Sequence, residues 1–160
     1  MDIDLHDACR RGDIELVTRT IGENKSLIYR KKFENTLLHY ASMYGHVKCV
    51  KFLIEEGANI YAQNKFGNTP LQVAIINSCT NCVEFLIKCS SYTAYINFQN
   101  FIGNTPLHIA CEQNAIGCVK FLVENGADYG IKNKNGDTPL HCASIYYNEN
   151  YCIKFYIKWC

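Results

Sequence analysis

The chain has 160 residues, of which 48% are hydrophobic and 19% are charged, and its formal net charge is +1. This composition is typical of a globular domain, and it has no charge excess that would attract a phosphate backbone. No apolar run reaches the roughly 20 residues that a membrane span needs, and the first residues, MDIDLHDACRRGD, lack the apolar core of a signal peptide. We therefore expect an intracellular protein, cytoplasmic or nuclear, that binds neither nucleic acid nor membranes and keeps its ten cysteines reduced.

One short segment recurs from the N-terminus onward. It reads IDLHDAC at Ile3, NTLLHYAS at Asn35, NTPLQVAI at Asn68, NTPLHIAC at Asn104 and DTPLHCAS at Asp137. The four threonines of the later copies, Thr36, Thr69, Thr105 and Thr138, are separated by 33, 36 and 33 residues. Self-similarity at such a period is the mark of a repeat protein, so the chain contains five copies of one unit.

A second apolar stripe follows each copy of this segment. It begins at Val17, Val50, Val83 and Val119, fourteen residues after the first four anchors, and the fifth copy reads CIKFYI one residue later. The helical spacing of both stripes predicts two short helices per copy. Threonine followed by proline suits a helix start, and Gly67, Gly103 and Gly136, two residues before a threonine, suit a tight turn between helix pairs.

These segments resemble the ankyrin repeat, through GNTPLQVA, GNTPLHIA and GDTPLHCA and through CVKFLIEEGAN and CVKFLVENGAD. The resemblance implies an all-α solenoid of stacked antiparallel helix pairs joined by hairpin-like loops. It would form a single domain over 1–160, with repeats at about 1–32, 33–65, 66–101, 102–134 and 135–160. The second copy departs by having Glu34 at the turn glycine. The third has Gln72 for histidine and three extra residues, so we expect an irregular connection around Ser90 to Tyr95.

Histidines and cysteines could indicate chemistry, but their positions in the repeat favour structural roles. The resemblance implies that the histidines of one column tie adjacent repeats together by hydrogen bonds; these are His6, His39, His108 and His141. Cys49, Cys82 and Cys118 precede the column valines, and Cys79 aligns with a turn position. Helices of neighbouring repeats lie about 8–10 Å apart, too far for thiolates that must each lie about 2.3 Å from one zinc ion. We expect no enzyme, no catalytic residue, no metal and no cofactor, and a cysteine-based metal or redox protein is the least favoured reading.

Ankyrin proteins recognise other proteins through loop tips and the concave face of the first helices. Carried over by position, the loop candidates are Lys32, Phe33, Lys65, Phe66, Phe101, Ile102, Lys134 and Asn135. The candidates on the first helices are Arg10, Arg11, Met43, Tyr44, Ile76, Glu112, Gln113 and Tyr146. The loop rings either bind a partner or fold back over the next hairpin, and both readings stay open. The mixed apolar and basic edge suits an acidic, partly hydrophobic partner.

We therefore predict a monomeric, non-catalytic protein–protein interaction module with a protein partner and no small-molecule substrate. A composition rich in Asn, Ile, Lys and Tyr is similar to that of small ankyrin proteins from large DNA viruses, insect polydnaviruses and intracellular parasites. That resemblance favours an IκB-like inhibitor of host signalling. The alternative is an adaptor that recruits a target to a ubiquitin ligase or another complex.

Overall fold

Stacked pairs of short helices make up residues 4–90 and 93–146, the part of the chain that the computed structural model describes, apart from the side chains of residues 93, 94, 145 and 146. The first helices of the pairs are α1 (Leu5–Arg11), α3 (Leu37–Met43), α5 (Pro70–Ile76), α7 (Pro106–Glu112) and α9 (Pro139–Tyr146). The second helices are α2 (Ile14–Glu23), α4 (Val47–Glu55), α6 (Thr80–Cys89) and α8 (Ile116–Glu124). The region predicted to form the second helix of the fifth copy lies outside the described residues.

Helices of the same kind pack against each other from one pair to the next. The first helices stack in the order α1, α3, α5, α7, α9, and the second helices stack in the order α2, α4, α6, α8. This confirms the predicted all-α arrangement of helix pairs. None of the described helices has the length and hydrophobicity that crossing a bilayer requires.

Threonine side chains start the middle helices. Thr36 accepts a hydrogen bond from the backbone N–H of His39, whose side chain accepts in return from the Thr36 N–H. Thr69 with Gln72 and Thr105 with His108 form the same capping box, which satisfies two otherwise unpaired backbone donors. Helix α1 is capped instead by Asp4, because Ile3 in the threonine column carries no side-chain oxygen.

The core is continuous along the stack. Each of the three middle pairs contributes one fully buried leucine from its first helix and one from its second helix; these are Leu38, Leu53, Leu71, Leu86, Leu107 and Leu122. One pair alone would leave this apolar face in water, so stacking of neighbours is what stabilises each copy.

The third pair closes in a different way from its neighbours. Helix α6 runs to Cys89, residues 91 and 92 lie outside the described part, and a 3₁₀ turn spans Thr93–Asn97. Tyr95 in this turn is fully buried, and its hydroxyl accepts a hydrogen bond from the Leu71 N–H at 3.3 Å. The longer connection therefore places an aromatic ring in the core.

Candidate functional site

Four large apolar side chains are exposed on the loops that connect successive helix pairs. Phe33 is 75% exposed, Phe66 59%, Phe101 55% and Ile102 61%. We call these four residues the tip surface. Exposed apolar patches on soluble proteins often mark interaction sites, so large apolar side chains exposed on successive loops are a candidate binding surface.

An asparagine five residues before each capping position builds the last three loops. Asn100 Oδ1 accepts hydrogen bonds from the backbone N–H groups of Ile102 (3.2 Å) and Asn104 (2.9 Å), and its Nδ2 donates to Asn68 Oδ1 at 2.8 Å. Asn64 and Asn133 make the equivalent bonds one repeat earlier and later. Sequence reasoning missed these three residues, although their recurrence at a fixed distance before threonine was visible.

Backbone hydrogen bonds join the last three loops into a row. The Phe101 N–H donates to the Phe66 carbonyl at 3.2 Å, and the Lys134 N–H donates to the Ile102 carbonyl at 3.1 Å. Glycine permits this approach, because a Cβ at Gly67 would lie 2.5 Å from the Phe101 nitrogen and one at Gly103 would lie 2.7 Å from the Lys134 nitrogen. The Phe101 ring also lies against Gly67, so this ring packs on the preceding loop while more than half of it stays in solvent.

The first loop has a different geometry. Strands β1 (Lys31–Lys32) and β2 (Asn35–Thr36) pair antiparallel and are joined by Phe33 and Glu34, whose φ angles are 51° and 63°. Two consecutive positive φ angles are the pattern of a type I′ turn, which normally takes Asn and Gly. Lys31 occupies the asparagine column and Glu34 the glycine column, so this loop lacks both residues that shape the others.

The row of backbone hydrogen bonds does not extend to this first loop. The equivalent bond would run from the Lys65 N–H to the Phe33 carbonyl, and no such bond is present among the described residues. We call this unbridged step between Phe33 and Lys65 the loop gap. A side chain at Glu34, where the later loops have glycine, accounts for the loss of close approach.

The charges along the loop edge leave an excess of cations. Lys32 forms an ion pair with Asp4, and Lys31 forms one with Glu34 at 3.6 Å. The Lys65 ammonium lies 4.9 Å from the centroid of the Phe66 ring, a cation–π contact. Within the described ranges, no carboxylate lies at ion-pair distance from Lys65 or Lys134. The edge is therefore basic as well as apolar.

The binding candidates at the ends of α1 and α3 differ in their ion pairs and in their solvent exposure. Both Arg10 and Arg11 bind Asp7, at 2.7 and 3.0 Å, which offsets part of their charge. Met43 is half-buried, and Tyr44, which follows α3, is 47% exposed. Tyr44 is thus the more exposed of the two apolar candidates in this part of the surface.

The binding candidates at the later first helices also differ in exposure. Ile76 and Gln113 are exposed, but half-buried Glu112 accepts a hydrogen bond from Asn104 Nδ2 at 2.9 Å and so belongs in part to the framework. Asn135 is exposed in the fourth loop. Tyr146 ends α9, and its side chain lies outside the described part. Whether any of these residues contacts a partner stays a prediction.

Two histidines of the column, His39 and His108, link neighbouring pairs, whereas His6 bonds the Arg30 carbonyl at 3.3 Å. The Nε2–H of His39 donates to the Asn68 carbonyl at 2.9 Å, and that of His108 donates to the Asp137 carbonyl at 3.0 Å. Because each Nδ1 accepts a backbone N–H, both rings are the neutral Nε2–H tautomer. Burial lowers the pKa of His39 to about 4 and also lowers the pKa of His108. Gln72 replaces this function, since its Oε1 accepts from the Thr69 N–H and its Nε2 donates to the Asn104 carbonyl at 3.0 Å.

Cys79 and Cys82, which are spaced as C-x-x-C and which we call the CxxC segment, have structural surroundings. Cys82 is fully buried, and burial raises the pKa of its thiol to about 12. Cys79 precedes α6, and its thiol donates to the Met43 carbonyl at 3.4 Å, just as His46 before α4 donates to the Arg10 carbonyl. Burial also raises the pKa of Cys79. No group of three or more His, Cys, Asp or Glu residues suited to a metal ion occurs in the described part.

The comparison with protein families agrees with this architecture. The family model described as ankyrin repeats (3 copies) matches residues 5–100 and 92–157, which together cover nearly the whole chain. No curated protein is a significant match to the sequence.

Proposed function

This chain belongs to the ankyrin repeat family, whose members are protein–protein interaction modules, and from that premise we propose that it is a non-catalytic module that binds its protein partner through the tip surface. The observation that carries the proposal is the exposure of Phe33, Phe66, Phe101 and Ile102 on successive loops, between 55% and 75% each. Together with Tyr44, which follows α3, they expose large apolar side chains to solvent.

The framework supports binding by a preformed surface. Polar side chains behind the tip surface hold the loops before a partner arrives. Asn100 donates to the Asn68 side chain, and Gln72 donates to the Asn104 backbone carbonyl. A preformed surface loses little conformational entropy on association, and more of the contact energy appears as affinity.

The described nucleophiles support the absence of catalysis. A catalytic cysteine needs a lowered pKa, whereas burial raises the pKa of Cys9, Cys79, Cys82 and Cys118. The neutral imidazole of His39 is engaged at both nitrogens. Protein binding is therefore the function that the described residues support best.

Within this class we favour a monomeric inhibitor that covers its partner's surface, of the IκB-like kind, acting in the cytoplasm or nucleus. An adaptor is the alternative. The two differ in one measurable property, because an inhibitor competes with its partner's other ligands while an adaptor forms a ternary complex with them. Competition measured with the purified partner and its known ligand would separate the two roles.

The test compares affinity purification of the wild-type chain with that of a Phe33→Ser/Phe66→Ser/Phe101→Ser variant. We expect the variant to keep its helical circular-dichroism spectrum and to lose the partner. Ile116→Ser is the matched control, since Ile116 is an exposed apolar residue (40%) on α8, away from the loops. Equal recovery of the partner by the wild-type chain and the triple variant would exclude the tip surface as the binding site.

A further inference from the structure

We propose that the loop gap, flanked by Phe33, Lys65 and Phe66, is the anchoring point for an extended acidic and apolar segment of the partner. This inference rests on the proposed function and adds to it the position and the chemical class of the bound segment. It is carried by three features of the described residues: unused backbone groups, a strained exposed aromatic residue and unpaired cations.

The loop gap leaves one backbone donor and one backbone acceptor unused. The Lys65 N–H and the Phe33 carbonyl correspond to the groups that pair between Phe101 and Phe66 and between Lys134 and Ile102. An extended peptide carries both a carbonyl and an N–H, so it can satisfy both groups at once. Recognition of this kind uses main-chain hydrogen bonds for affinity and alternate side chains for specificity.

Phe33 supplies the apolar contact. It is the most exposed of the large hydrophobic residues in the described part, at 75%, and it has φ = 51°, a region that bulky residues rarely adopt. Neither its exposure nor its conformation stabilises the fold. Strained residues of this kind are concentrated at sites that contact ligands. An apolar side chain of the bound segment would lie between Phe33 and Phe66.

The charge near the loop gap favours an acidic segment. Lys31 and Glu34 form one ion pair and Lys32 and Asp4 another, so these four charges balance. Arg30 and Lys65 are exposed, and neither has an ion-pair partner in the part of the chain that the structure describes. Lys65 flanks the gap and Arg30 comes three residues before Phe33 in the chain, so a carboxylate-bearing segment is complementary to this part of the edge.

The probe is a fluorescein-labelled peptide of about ten residues in which Asp and Glu alternate with Leu, a length that spans an exposed edge. Its control peptide has Lys in place of the acidic residues. Fluorescence anisotropy measures binding to the wild-type chain and to a Lys31→Asn/Glu34→Gly variant, which introduces the asparagine and the glycine of the other loops. This double substitution removes one positive and one negative charge, so the net charge does not change.

We expect the double variant to unfold at higher urea concentration than the wild-type chain and yet to bind the peptide at least about tenfold more weakly. Phe33→Asn, which suits a positive φ, should weaken binding to a similar extent. Lys51→Gln/Glu55→Gln, which removes an exposed ion pair on α4 without changing net charge, should leave binding unchanged. The Lys65 amide should exchange rapidly in the free protein and become protected when the peptide binds.

Several outcomes would overturn the inference while leaving the proposed function intact. One is equal peptide affinity of the double variant and the wild-type chain, with the triple tip variant still losing its cellular partner. Another is binding of the lysine peptide in preference to the acidic one. A third is concentration-dependent self-association that Phe33→Asn abolishes, which would assign the loop gap to a second copy of the chain. If the triple tip variant keeps its partner, the proposed function itself is wrong.

Discussion

The Nε2–H of His39 donates to the backbone carbonyl of Asn68 over 2.9 Å, with both residues buried. The acceptor lies in the turn that precedes the next helix pair, so one imidazole joins two repeats. The bond requires the neutral ring, because Nδ1 is occupied as an acceptor of the Thr36 N–H. Protonation of this ring would therefore oppose the stacking of the repeats.

Stability should fall on acidification. The pKa of His39 is about 4 in the folded chain and about 6.5 when unfolded, so the unfolded state takes up the proton first. The contribution is fully present above pH 6.5 and is lost as the pH falls toward 4, by up to about 3 kcal/mol. Urea unfolding of the wild-type chain and His39→Gln at several pH values between 7.5 and 4.5 measures this.

Gln72 provides the rationale for that variant, since an amide in the same column makes both bonds without titrating. His39→Gln should flatten the pH dependence of the unfolding free energy, and Gln72→His should steepen it. If His39→Gln and the wild-type chain lose stability in parallel, the linkage lies in other groups.

Gly67→Ala should destabilise the fold by about 2 kcal/mol or more. Residue 67 has a left-handed backbone, which alanine adopts at a cost, and the new Cβ would lie 2.5 Å from the Phe101 nitrogen. The control is Gly136→Ala at the equivalent position, where φ is 86° but no atom of the described residues lies within 4 Å of the new Cβ. It should cost only about 1 kcal/mol. Thermal or urea unfolding of both variants checks the order, and equal losses would mean that the close approach of the loops contributes nothing.

Asn100→Ala should cost about 2–3 kcal/mol, since three hydrogen bonds to Asn68, Ile102 and Asn104 are lost at about 1 kcal/mol each. Asn135→Ala, in an exposed loop position, should change the unfolding free energy by less than about 0.5 kcal/mol. Urea denaturation measures both. A neutral result for Asn100→Ala would show that the asparagines follow the loop geometry and do not create it.

Alkylation with iodoacetamide at pH 8 should follow exposure. Among the cysteines of the described ranges, exposed Cys89 should react first and half-buried Cys79 should react slowly. Burial raises the pKa of Cys9 and Cys82 to about 12, so these thiols should react only when the chain unfolds. Peptide mass mapping reads each site separately. Modification of Cys79 ahead of Cys89 would indicate an activated thiol and would reopen the redox reading of the CxxC segment.

The repeat period and the helix pairs could be predicted because they depend on local, periodic properties. Thr36 and Thr69 cap helices through bonds within one turn, and the column leucines alternate with the helical period. The histidine links could be predicted from the resemblance alone, since the acceptor of His39 lies 29 residues away. Local sequence patterns therefore predict the helices, whereas the contacts between repeats are predicted only when equivalent positions of the repeats are aligned.

The features that the sequence does not predict arise where a residue departs from the repeat pattern or contacts a residue outside its own repeat. Glu34 is an unusual turn residue by its repeat position, but the type I′ geometry and the loss of the Lys65 bond to Phe33 depend on how two loops meet in space. Glu112 is a binding candidate by its repeat position, but the hydrogen bond that its carboxylate accepts from Asn104 does not follow from that position. The burial of Tyr95 follows an insertion, where the register of the repeat no longer applies.

The third repeat departs from the others in Gln72, in its inserted connection and in the burial of Tyr95, and these three features depend on one another. The amide of Gln72 donates to the carbonyls of both Phe98 and Asn104, at 2.9 and 3.0 Å, whereas a neutral histidine has a single ring N–H to offer. The inserted connection thus needs the glutamine, and it places Tyr95 in the core. A chimaera that exchanges helix α5 for α3 or α7 would leave the Phe98 carbonyl unpaired. Recombination between repeats of this protein should succeed only at boundaries that keep residues 70–98 together.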